Sequence, residues 1–165
     1  MRIAVVKHPP GGPADKPLIV NPVRVFLRCP VYYDTGAHGL LPSTQGIFCA
    51  RLFAETVLRA LEEKAVKYHW GIVHVGVYNP RKARHEDGSP ILPVRWSNHA
   101  WARAIDWKGL VETASERYLS VPILRREAPV RFAEIVDYCA HKMRAASLLP
   151  EIVQESTWVH IGYFP

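Results

Sequence analysis

Proline and glycine divide this chain into pieces, and the lengths of the pieces limit what it can fold into. The stretch His8-Pro9-Pro10-Gly11-Gly12-Pro13 can be neither helix nor central strand. Leu18 to Arg28 reads as extended and is broken by Pro22. Residues 29–46 carry Pro30, Gly36, Gly39, Pro42 and Gly46, the pattern of a long ordered loop. Residues 79–96 are polar, with Pro80, Gly88, Pro90 and Pro93, and read as a surface loop placed to cover a substrate site.

Between these breaks, helical periodicity survives in two places. Phe48, Leu52, Phe53, Val57, Leu61 and Ala65 recur three and four residues apart, which predicts a helix over 48–67. Phe132, Ile135, Val136, Cys139, Met143 and Leu148 predict a second over 129–149, with Pro129 in its first turn and Pro150 ending it. Strands are expected at 2–7, Ile72–Val77, Ala102–Trp107 and Thr157–Phe164. The order helix, strand, loop, strand, helix, strand offers few βαβ-sized units. It predicts an α+β domain with a small antiparallel sheet flanked by helices.

At 165 residues the chain reads as one domain with one core. No apolar run approaches the roughly 20 residues of a membrane span, and the first residues are too short in apolar side chains for a signal peptide. Synthesis in the cytoplasm is the expectation. Cys29, Cys49 and Cys139 are scattered and odd in number, against both a disulfide framework and a thiolate metal site. Cys49 and Cys139 fall in helix-like apolar patterns and are expected to be inert. The net charge of +6 favours polyanions. The basic residues are dispersed, however, and no helix interleaves a basic stripe with aromatics, which argues against a nucleic-acid module.

The chemistry concentrates in two segments. Ser97-Asn98-His99-Ala100-Trp101-Ala102-Arg103-Ala104-Ile105-Asp106 sets a histidine and an aspartate seven residues apart, and Trp158-Val159-His160-Ile161 places a second histidine in a strand. Two histidines and one aspartate make a zinc ligand set that leaves the fourth position open for water. Zinc so held polarises a scissile carbonyl and lowers the pKa of bound water to about 7. His99, Asp106 and His160 are therefore the expected metal ligands. By two-residue alternation Ala104 and Asp106 share a face. His69 and His74 read as structural, and His8, His38 and His141 lack partners at metal spacing.

The first segment resembles the Ser-x-His-x-x-Gly-x-Ala-x-Asp pattern of the LAS zinc peptidases, which are D-Ala-D-Ala carboxypeptidases, dipeptidases and phage endolysins of the hedgehog/DD-peptidase fold. It matches at Ser97, His99, Ala104 and Asp106, and departs at Ala102, where the family has glycine. Val77-Tyr78-Asn79-Pro80-Arg81 is similar to the family's arginine segment, and Trp158-Val159-His160-Ile161 to the strand bearing its last ligand. The resemblance covers about 70–108 and 155–163.

It implies a peptidase core over 47–165, with 1–46 as an elaboration or docking segment. Zinc is the implied cofactor and a peptidoglycan stem peptide the implied substrate, with an amide bond hydrolysed as by a D,D-carboxypeptidase or endopeptidase. Arg81 would bind a substrate carboxylate or an oxyanion, and Ser97 and Trp158 would support the ligands. The family's general base lies three residues before the last histidine, where this chain has Thr157. Glu155 is the nearest carboxylate, and His85, Glu86 and Asp87 are further candidates should the loop fold over the site. The resemblance suits a phage or prophage enzyme that reaches the cell wall after release or within a virion. The competing expectation is a catalytically degenerate module, zinc-binding or structural, held among other proteins of a larger assembly such as a phage tail.

Overall fold

In the computed structural model, which describes residues 1–164, ten strands and a set of helices build an α+β fold. β1 (Arg2–Val5), β2 (Pro22–Phe26) and β5 (Ile47–Ala50) form a three-stranded antiparallel sheet. A larger sheet runs in the order β4 (Leu40–Pro42), β3 (Val31–Asp34), β6 (Trp70–His74), β7 (Ala104–Glu112), β10 (Val159–Phe164), β9 (Leu149–Gln154), and β8 (Tyr118–Ser120) pairs with β7. It is mixed, because β3 and β6 run parallel, and it is larger than the small antiparallel sheet expected.

Several elements differ from expectation. Residues 29–46 hold the β3–β4 hairpin, because Val31-Tyr32-Tyr33 is β-favouring sequence that the flanking prolines and glycines obscured. Ile47, Phe48 and Cys49 belong to β5, so helix begins only at Arg51. The helical stretch runs as α1 (Arg51–Phe53), a π-helical segment (Ala54–Leu58) and α2 (Arg59–Tyr68). Thr56 Oγ1 donates to the Leu52 carbonyl at 2.7 Å within it.

The strand expected to end at Trp107 continues to Glu112. α3 (Val121–Glu127) precedes α4 (Pro129–Ala145). Pro150 lies in β9 and not at a helix end. β9 is an edge strand, where a missing N–H breaks no ladder.

β7 is the spine of the large sheet. One edge pairs with β6; the other pairs with β10 at 104–107 and with β8 at 109–111. Ile105, Trp107, Val159 and Ile161 are fully buried on one face, where Trp107 stacks on Phe132 of α4 at 5.9 Å. Strand alternation sends Ala104, Asp106, His160 and Gly162 to the other face. Ala104 and Gly162 are directly paired, and a Cβ on Gly162 would stand 2.8 Å from that of Ala104.

The N-terminal third is woven into both sheets. Ile19, Val23 and Val25 share one core with Phe53, Leu61 and Ile72. All three cysteines are buried and free, with thiols pushed up to about 12, chiefly by burial. No helix among the described residues is long and apolar enough to cross a membrane.

Candidate metal centre

The site begins with a turn. Asn98–Trp101 is a single 3₁₀ turn, and the Ser97 hydroxyl caps it by accepting the His99 N–H at 3.3 Å. It closes at Ala102, in the left-handed region at φ 51°, ψ 40°. The chain then enters β7 with Asp106 facing the turn. The arginine segment is laced to the same turn: Asn79 N–H donates to the His99 carbonyl and Ser97 N–H to the Arg81 carbonyl, each at 3.1 Å. β10 contributes His160, whose position is set by its register opposite Asp106.

Three atoms converge. His99 Nε2 lies 3.1 Å from Asp106 Oδ1 and 3.2 Å from His160 Nδ1, and His160 Nδ1 lies 3.1 Å from Asp106 Oδ1. Among the described residues this is the one group of three or more such side chains spaced to hold a metal ion.

The outer ring nitrogens are also engaged. His99 Nδ1 is 2.9 Å from the Val77 carbonyl, which can only accept, so Nδ1 carries the proton and Nε2 presents a lone pair. His160 Nε2 is 3.0 Å from the Glu151 carboxylate and donates to it, which leaves Nδ1 facing inward. Two lone pairs and a carboxylate oxygen thus point at one spot, which requires a cation or a proton. A tetrahedral zinc with bonds of about 2.0–2.1 Å spaces its ligands about 3.3 Å apart, close to the triangle seen here.

Electrostatics fit the same reading. Burial works against ionisation of Asp106, but hydrogen bonds and charge from His160 and His99 outweigh it and hold the carboxyl well below the usual range. Burial likewise opposes a charged His160, yet the Asp106 and Glu151 carboxylates raise it to about 9, so without metal a proton fills the gap. Glu151 is held down to about 2 by hydrogen bonds from His160, Asn98 and Arg95, against its burial.

A cavity of about 480 Å³ opens over the triad, within the size range of small-ligand sites. Arg81 lines it, half-buried, and its Nε is buried with no hydrogen-bond partner among the described residues. Trp158 forms part of the wall.

Glu155 lines the cavity and Thr157 does not; Thr157 is exposed and accepts from Lys108 Nζ at 3.3 Å. The 79–96 loop folds over the site, doubled back through bridges between Lys82 and Trp96 and between Arg84 and Pro90. Glu86 at its tip accepts the Ser156 hydroxyl, and it lines the cavity with His85. Burial, and next the hydrogen bond and charge of Glu86, raise the Glu155 carboxyl above its ordinary value. Asp87 caps the loop's own turn by accepting from Ser89 N–H at 2.8 Å.

His74 is buried in β6 with both ring nitrogens unpartnered, and burial lowers it to about 4, so it is neutral. His69 closes α2 in the left-handed region.

Glu151 is the site residue that sequence reasoning missed. The hairpin register places Glu151 opposite Gly162, two residues along from His160 on the same face. Only recognition of β9 as a strand would have revealed it. No protein-family model matches the chain, and comparison with curated proteins and with solved structures finds no match.

Proposed function

We propose that this chain is a zinc-dependent peptidase of the hedgehog/DD-peptidase type, acting on an amide bond of peptidoglycan stem peptides. One observation carries the reading. His99 Nε2, His160 Nδ1 and Asp106 Oδ1 lie within 3.1–3.2 Å of one another, with both outer ring nitrogens tied elsewhere. That donor set, beneath a cavity, is what a catalytic zinc needs.

Zinc bound there would supply a Lewis acid for the scissile carbonyl and acidify water. The rest falls to the chain. Glu155, its carboxyl raised, takes the water proton as general base and returns it to the leaving amine. Arg81, which lines the cavity, meets a substrate carboxylate or the developing oxyanion. Trp158 forms an apolar wall, and the 79–96 loop limits access of bulk water. A phage or prophage setting, with action at the cell wall or from a virion, suits this substrate.

The second reading, a metal-binding module without hydrolysis that serves a larger assembly, is favoured by Thr157. The position three residues before His160 offers no carboxylate and faces Lys108.

The test is zinc content of the purified protein beside peptidoglycan digestion, with His99→Ala and Glu155→Gln. About one zinc per chain, lost in His99→Ala, is expected. Released stem peptides should fall by 100-fold or more in Glu155→Gln with zinc retained. Zinc without digestion in the wild type selects the second reading, and absence of zinc removes both.

A further inference from the structure

We infer that Glu151 is the positioning residue of the metal centre, a buried carboxylate that joins the two histidine-bearing segments and fixes His160 as an Nδ1 ligand. The inference rests on the metal reading above and adds a residue to it. Its Oε2 accepts His160 Nε2–H at 3.0 Å and also the Asn98 side-chain N–H. Its Oε1 accepts from Arg95 at 3.1 Å. Asn98 is the immediate neighbour of His99, and its own Oδ1 accepts Arg103 Nε at 2.8 Å. One carboxylate therefore holds β10 and the 3₁₀ turn together, and Arg95 adds the base of the 79–96 loop.

Three physical consequences follow. A carboxylate on the outer nitrogen selects the Nε2–H tautomer, which leaves the Nδ1 lone pair for the ion. Its negative charge makes the imidazole a stronger donor. It also restrains ring rotation, and among the described residues His160 Nε2 has no other hydrogen-bonding partner. His99 needs no such carboxylate, because the Val77 carbonyl does the same work for it. The two ligands are thus fixed by different devices, and only the His160 device carries charge. On β10 the position opposite Glu151 is Gly162.

The test uses the full chain and zinc alone, by competition against a chromophoric chelator, with Glu151→Gln and Glu151→Ala. Metal-free melts with a chelator present establish that each variant is folded. Glu151→Ala should bind zinc about 10–100-fold more weakly. Glu151→Gln, whose amide oxygen still accepts the Nε2–H without the charge, should fall between. The cobalt absorption bands should shift in Glu151→Ala, and long-range ¹H–¹⁵N spectra of the zinc form should show the His160 Nε2–H tautomer in the wild type.

A folded Glu151→Ala that binds zinc as tightly as wild type with an unchanged cobalt spectrum overturns the inference and leaves the metal reading intact. A wild type that binds no zinc overturns both. A residue that served only packing would lower the melting temperature and leave affinity and spectrum unmoved, and that outcome also overturns the inference.

Discussion

Position 102 shows how much rests on single residues. Ala102 adopts φ 51° and is fully buried. Its carbonyl accepts the Ala50 N–H at 2.9 Å, which ties the ligand turn to β5. A left-handed L-residue costs about 1–2 kcal/mol, which explains the glycine of the pattern this segment resembles. Ala102→Gly removes that strain but gives up one buried methyl, worth about 0.8 kcal/mol, and adds about 0.4–1 kcal/mol of freedom to the unfolded chain. The gain and the losses nearly cancel, so its melting temperature should stay within about 2 °C of wild type. Ala102→Val adds a β-branched side chain in a region closed to it and should lose roughly 6 °C or more. A valine variant as stable as wild type would mean that the turn does not have this geometry. His99, Asp106 and His160 were legible because each residue type carries its chemistry alone and alternation sets its face. Glu151 was not, because a lone glutamate carries no signal until its strand is known.

Polar side chains also link α2 and α4. Glu134 accepts from Lys64 and from the Tyr68 hydroxyl, each at 2.5 Å, with Lys67 at 3.4 Å. The Lys64 and Tyr68 hydrogen bonds lower its carboxyl from 4.5 to about 2. A carboxyl depressed in the folded state adds stability above its unfolded value, and loses it as pH falls through the folded one. Glu134→Gln should therefore melt roughly 1–3 °C below wild type at pH 7. That gap should close as pH drops from about 4.5 towards 2; a gap independent of pH would show that charge is not its source. Helix α4 was visible from its apolar spacing. The β3–β4 hairpin was hidden by the prolines and glycines around it and β9 by Pro150 within it, and α3 is too short for its periodicity to register. The π-helical segment has no signature in apolar spacing.

At the scale of the whole molecule, the N-terminal third supplies half of each junction that matters. β2 pairs with β5, and β3 pairs with β6 beside the spine strand. The division at 46/47 follows the motif and crosses the core. A fragment of 47–165 would expose Ile72 and Cys49, both fully buried in the whole chain, and leave unpaired edges. Its urea or thermal transition should be broad and non-cooperative, with zinc affinity reduced at least tenfold. A sharp transition with full affinity would show that residues 1–46 are accessory. The α+β class was legible from the order of elements. The mixed sheet was not, because a parallel pair between strands some 40 residues apart leaves no local trace.

The pairing of His160 with Asp106 makes the site a proofreader of strand register. Side chains alternate along β10, so a slip of one residue against β7 would turn His160 into the core and set Val159 or Ile161 beside Asp106. No partly slipped arrangement keeps all three donors. Ion capture would therefore reward one alignment of β10 among its neighbours, so that a chain holding a metal there would, by that fact, have closed its sheet correctly.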